Sequence, residues 1–313
     1  MSAQSTVSRG KKSRLLPVLL LFAGGALLGV STNLAKLAVG IGMTPLAFLT
    51  WSLAGAALLL LTGAALRGSL PPLNNRSIKY YAVAALVGVA GPNFIFFEAI
   101  PHVGASFVAL MIALPPLLTY AGALAMGMEG FQWARALGVV AALGGAGVLA
   151  ASRQIASDAD LFWTVLVLLG PALLAVGNIY RTLKWPAGVS PHALATGMLF
   201  LAVFMLMLFS MLPGYSLAVP MDRSLPVVLT LAQAFVFAAQ FQVLFLLQKT
   251  GGPVLLSLLG SVGAVIAVPV AIYLQNEAPP AGLLPGAGLI ALGVALIAGS
   301  RAKLVARSPR GRQ

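Results

Sequence analysis

The sequence predicts an all-α polytopic membrane protein: ten transmembrane helices arranged as a 5+5 inverted repeat. Three observations carry that expectation. Residues are 60% hydrophobic and only 8% charged, so lipid must be the solvent for most side chains. Apolar runs of bilayer-crossing length recur between short polar segments. The chain also repeats itself, because Tyr80–Ala151 moved forward by 148 positions falls on Val228–Gly299 without a gap.

Residues 1–14 form a basic tail, 15–151 a first unit, 152–160 a linker, 161–300 a second unit and 301–313 a second basic tail. The run Leu15–Ala38 follows the basic start as a signal peptide core would. It is longer than such a core and is read as an uncleaved first span. Further spans are expected near Thr44–Leu66, Ile78–Ile100, Val103–Met126, Trp133–Ala151, Leu161–Tyr180, Pro191–Leu212, Leu225–Gln248, Pro253–Leu274 and Gly282–Ser300. Barrel strands would be shorter and alternate in polarity, so these runs are helices.

The repeat rests on its glycines and glutamates, since Ala and Leu match by chance. Gly104 meets Gly252, Glu129 meets Glu277, Gly138 meets Gly286 and Gly145 meets Gly293. An offset of 146 extends it upstream: Gly24 over Gly170, Gly42 over Gly188, Pro45 over Pro191 and Thr50 over Thr196. Five spans per unit is an odd number, so the second unit must cross in the opposite sense. The interface of the halves near the midplane is then the expected binding site.

Orientation follows from the cations. Sixteen of nineteen Lys and Arg lie on the side of both tails, against Lys36, Arg153 and Arg223 opposite. Both termini are therefore expected in the cytoplasm. The net charge of +13 could suit nucleic acid, but its cations sit in tails and short loops. That distribution reads as contact with anionic lipid. Without cysteine there is no disulfide, thiolate metal site or thiol chemistry. Neither metal nor cofactor is expected.

Hinge candidates are the residues that interrupt helical hydrogen bonding. Gly24-Gly25 and Gly170-Pro171 occupy equivalent positions, one break per half, while Pro92 and Pro115-Pro116 interrupt spans three and four. Proline and glycine are also simply common in membrane helices.

Glu98 is the one acid within a span and is the candidate for proton coupling or for holding a substrate amine. Its alternative is an interfacial carboxylate, helped by His102 one turn on. Glu129 and Glu277 precede spans, where a carboxylate suits the positive end of a helix. Asn33, Asn93, Asn178, Gln240, Ser261 and Tyr120 are the substrate-binding candidates. Interhelical hydrogen bonding explains the amides equally well. Lys36 and Arg181, near span ends, read as snorkelling cations. An intramembrane lipid-modifying enzyme is the alternative. It would need convergent acids, a nucleophile with its base, or a metal shell, and the chain offers two histidines and no intramembrane Asp.

From Leu19 to Ala298 the chain resembles the EamA-type branch of the drug/metabolite transporter superfamily. The most specific residues are Glu129, Gly138 and Gly145, repeated as Glu277, Gly286 and Gly293. The passage Phe96-Phe97-Glu98-Ala99 through Gly104-Ala105-Ser106 and the paired Pro45 and Pro191 add to it. The resemblance implies an inner-membrane carrier, commonly an exporter of amino acids, other metabolites or drugs, working by alternating access. Many relatives carry Lys or Arg at the end of span three, where this chain has Pro101, so a role for that base does not transfer.

Overall fold

A computed structural model describes residues 3–127, 130–155, 161–220 and 224–307. The described residues form helices and no strand. In chain order these are α1 (Ala3–Gly40), α2 (Pro45–Leu66), α3 (Asn75–Ala85), α4 (Gly91–Val103), α5 (Ala105–Ile112), α6 (Pro115–Ala125) and α7 (Trp133–Ile155). They continue as α8 (Leu161–Val167), α9 (Leu169–Leu183), α10 (Pro191–Phe209), α11 (Ser224–Ser257), α12 (Leu259–Pro269) and α13 (Leu283–Arg307).

Among the described residues, seven stretches are long and apolar enough to cross a membrane: Leu16–Gly40, Pro45–Leu66, Asn75–Val103, Ala105–Ala125, Leu161–Leu183, Pro191–Phe209 and Ser224–Thr250. The expected fifth, ninth and tenth spans appear as shorter apolar helices, Trp133–Leu149, Leu259–Leu274 and Leu283–Leu296.

The prolines explain how the helices start and break. Pro45 and Pro191 open α2 and α10, where a missing N–H costs nothing. Each is preceded by a hydroxyl cap: Thr44 Oγ1 accepts from Ala47 N at 3.3 Å, and Ser190 Oγ from Ala193 N at 3.2 Å. Just before Pro92 the third span loosens into a π-helical turn, Leu86–Ala90. The fourth span breaks at Ala113 and Leu114, ahead of Pro115, into α5 and α6. The sixth breaks at Leu168, ahead of Pro171, into α8 and α9. Pro269 is followed by a second π-helical turn, Val270–Leu274.

Gly24-Gly25 behaves differently from the expected interruption, for α1 runs through both without a break. These glycines let α12 come close. A β-carbon on Gly25 would stand 2.6 Å from Val262 Cβ and 3.1 Å from Gly263 N.

Contacts give the directions of the helices. Gly24 faces Val243 and Ser31 accepts from Gln233, so α1 is antiparallel to the first part of α11. Gly25 faces Val262 and Asn33 bonds Ala267, so α1 is parallel to α12. The chain therefore reverses between Thr250 and Leu259, although its backbone is helical up to Ser257. α7 and α13 are antiparallel and touch through the repeated glycines. A β-carbon on Gly145 would meet the carbonyl of Gly286, and one on Gly293 that of Gly138. Advancing Gly145 by 148 positions gives Gly293, and moving Gly286 back by 148 gives Gly138, so the repeat maps the first contact onto the second. The crossing of α5 with α12 maps onto itself, with Ile112 O against Gly260 and Ala113 O accepting from Ser261. We call the end where α1 begins the basic end; Arg67, Arg76, Arg135 and Lys184 all lie at helix termini there.

Candidate functional site

A cavity of about 80 Å³ lies between the halves of the chain. Its walls come from α1 (Leu28), α4 (Pro92, Asn93, Phe96), α9 (Leu174, Asn178, Arg181) and α11 (Gln240, Phe241, Leu244), with Gly88 of the π-turn, Pro115 and Gly260 completing it. The breaks of the third and fourth spans thus stand at the cavity. Beside Pro92 the Asn93 amide donates to Val89 O at 2.8 Å, a carbonyl within the π-turn.

Arg181 is the charged group in this wall, and its position corrects the expectation of a snorkelling cation. It is 1% exposed. The fourth turn of α9 aims it inward, and the missing side chain of Gly88 makes room for it, since a β-carbon there would overlap Nη1. Nη2 donates to Asn178 Oδ1 at 2.7 Å, three residues back along the same helix. Nε and Nη1 have no hydrogen-bond partner, and neither has Gln240 Oε1. Position relative to the span end suggested water or headgroups for this cation. Only the packing of α9 against the third span, with Gly177 on Gly88 and Gly170 on Phe96, shows that its face points inward.

The remaining candidates divide. Asn93, Asn178 and Gln240 meet at the cavity with Pro92 and Pro115. Asn33 lies away from it, donating to Gly29 O and Ala267 O and joining α1 to α12. Ser261 bonds Ala113 O at 3.4 Å and lines a separate apolar groove between α1, α5, α12 and α13. Tyr120 accepts from Gln132 N, with Arg135 over its ring. Pro116 and Pro171 are buried outside the cavity wall, and Phe96 packs its ring on Gly170.

Glu98 also lies outside the cavity. Its carboxylate stands by the Leu46 backbone in the first turn of α2, where the helix end favours a carboxylate. The His102 ring stacks on Trp163 at 4.3 Å. Close by, burial and then the charge of Glu98 push the Tyr215 hydroxyl above its ordinary range.

At the end opposite the basic one, Glu277 joins three elements. It pairs with Lys36 at 2.7 Å and accepts from Ala105 N at 3.0 Å and Ser106 N at 2.9 Å. It therefore caps a helix as expected, but caps α5 and not the helix that follows it. Its repeat counterpart Glu129 lies outside the described residues.

A transporter-family model, the EamA-like transporter family, matches residues 15–151. This region, a little under half of the chain, carries the likeness to the family. That match and the seven helices of bilayer-crossing length support a multi-pass membrane protein. A solved crystal structure, titled only as that of a protein, superposes with a TM-score of 0.67 at 17% identity. The superposition covers 92% of this chain and 98% of that one, so the likeness in fold extends over both halves. No curated protein matches the sequence.

Proposed function

We propose that this EamA-type protein is a secondary transporter that carries a small metabolite outward by alternating access. Ten spans, five in each half and related by an in-plane pseudo-twofold, would present the central cavity to each side in turn. The supporting observation is the cavity itself. Both halves build it, three helix-breaking prolines or π-turns border it, and polar groups without protein partners face it. Two repeat-related contacts, Gly145 with Gly286 and Ile112 with Gly260, support the inverted repeat behind that reading. The Lys36–Glu277 pair and the capped α5 would then close the side opposite the basic end.

The orientation that follows places both termini in the cytoplasm, with the protein in the cell inner membrane. Reporter fusions after Arg312 and within Leu70–Asn75 should report cytoplasm, and one within residues 156–160 the other side. A C-terminal fusion reporting the outer side would remove the ten-span reading. Counterflow of labelled substrate in proteoliposomes tests carriage directly. A lipid-modifying activity has no observation in its favour here.

A further inference from the structure

We infer that the substrate site of this protein is built for a monocarboxylate with an apolar body, its carboxylate seated on Arg181. This rests on the transporter reading above and narrows it from small metabolites generally, setting aside amino acids. A guanidinium cannot shed its proton, so inside a membrane protein it needs an anionic or strongly accepting partner. Arg181 is buried, yet it has one neutral partner, Asn178 Oδ1, and two nitrogens without any. No described carboxylate supplies the missing charge. Glu277 is held by Lys36 and the α5 backbone, and Glu98 stands by the Leu46 backbone. An uncompensated buried cation is expensive, so an arrangement that keeps one facing a cavity is poised for an anion from outside.

The charge count selects the class of anion. Arg181 is the sole ionisable residue in the cavity wall. One positive charge balances a monoanion; a phosphate dianion would leave a net negative charge buried. The wall offers an ammonium only neutral amide oxygens such as Gln240 Oε1 and no carboxylate, so the amine charge of a zwitterionic amino acid would be buried unbalanced. Leu28, Phe96, Leu174, Phe241 and Leu244 supply an apolar lining for the rest of the ligand. The cavity of about 80 Å³ exceeds the ~10–15 Å³ that admits one water several-fold, which is room for a very small organic acid in this conformation.

Propionate, alanine and propionamide test this: propionamide matches propionate in size without its charge, and alanine adds an ammonium to the same carboxylate. Thermal unfolding of the purified full chain would be followed with each compound, against sodium chloride at matched ionic strength. Propionate should raise the melting temperature, while alanine and propionamide should not. Arg181→Gln should weaken propionate binding at least about tenfold, and Arg181→Lys should retain part of it. The ligand-free Arg181→Gln protein should melt at or above the parent, because an unpaired buried charge is gone. A lower melting temperature for that variant would make Arg181 a structural strut and overturn the proposal. So would stabilisation by alanine or propionamide equal to that by propionate. Chloride as effective as propionate, with the same Arg181 dependence, would assign the site to inorganic anions and sink the carboxylate. The carrier reading fails separately: propionate that binds through Arg181 but shows no exchange in proteoliposomes keeps the site and removes transport.

Discussion

Gly145→Ala should damage the fold where the two halves meet. A β-carbon at this position would lie 2.5 Å from Gly286 O, 2.9 Å from Leu289 Cβ and 3.0 Å from Ile290 Cγ1. Two of these obstacles are a backbone carbonyl and a β-carbon, which cannot swing aside as the end of a long side chain could. Ordinary contact begins near 3.4 Å, so α7 and α13 must separate by nearly an ångström or slide. Overpacking of this kind costs about 1–3 kcal/mol, and widening the helix pair also loses close Cα–H···O contacts worth about 0.5–1 kcal/mol each. Gly147 is the matched control. Nothing lies within 4 Å of a β-carbon there, so Gly147→Ala should be neutral or gain up to about 1 kcal/mol from helix propensity. Unfolding by SDS in mixed micelles, followed by the fluorescence of the four tryptophans, would rank the variants. Equal stability of Gly145→Ala and Gly147→Ala would refute the close α7–α13 contact.

Gly104→Ala should cost at least about 1–3 kcal/mol, because φ of +81° and ψ of 155° suit glycine and the added carbon would stand 2.6 Å from Glu277 Oε1; the same unfolding assay reads it. Glu277→Ala should destabilise more than Lys36→Met, since it strips two α5 N–H groups as well as the ion pair. Both should raise labelling of residues near Gly104 from the side opposite the basic end. Glu98→Gln should leave substrate counterflow intact and lower stability by about 0.3–1 kcal/mol, because the carboxylate faces the start of α2 and not the cavity. Loss of counterflow in that variant would return Glu98 to the binding site.

Much of the fold was legible because lipid imposes it. Apolar run length located seven stretches of bilayer-crossing length and three shorter apolar helices, and the glycine and glutamate echo singled out residues that the fold brings together, such as Gly145 with Gly286 and Gly104 with Glu277. Chain turns were less legible, since the helical backbone runs past the expected loop after Gln248 to Ser257. The site was half legible. Asn93, Asn178 and Gln240 stood out as amides in hydrocarbon, and they do face the cavity. Asn33 carries the same sequence signal yet ties α1 to α12. Polarity alone does not say which way a helix face points. Arg181 was misjudged for a related reason. Its distance from the span end suited a snorkelling cation, whereas the glycine that admits it, Gly88, comes from another span. The one available hint was the Asn178–Arg181 spacing of three, which puts both on one helical face.

The central claim is that the cavity between the halves opens to each side of the membrane in turn. The chain has no cysteine, so Asn93→Cys places a single thiol in the cavity wall without further engineering. Oriented membrane vesicles would be treated with a membrane-impermeant maleimide from one face or the other. Alternating access predicts labelling from both faces, with labelling from the face opposite the basic end accelerated by Lys36→Met. A thiol that reacts from one face only, with or without Lys36→Met, would contradict it.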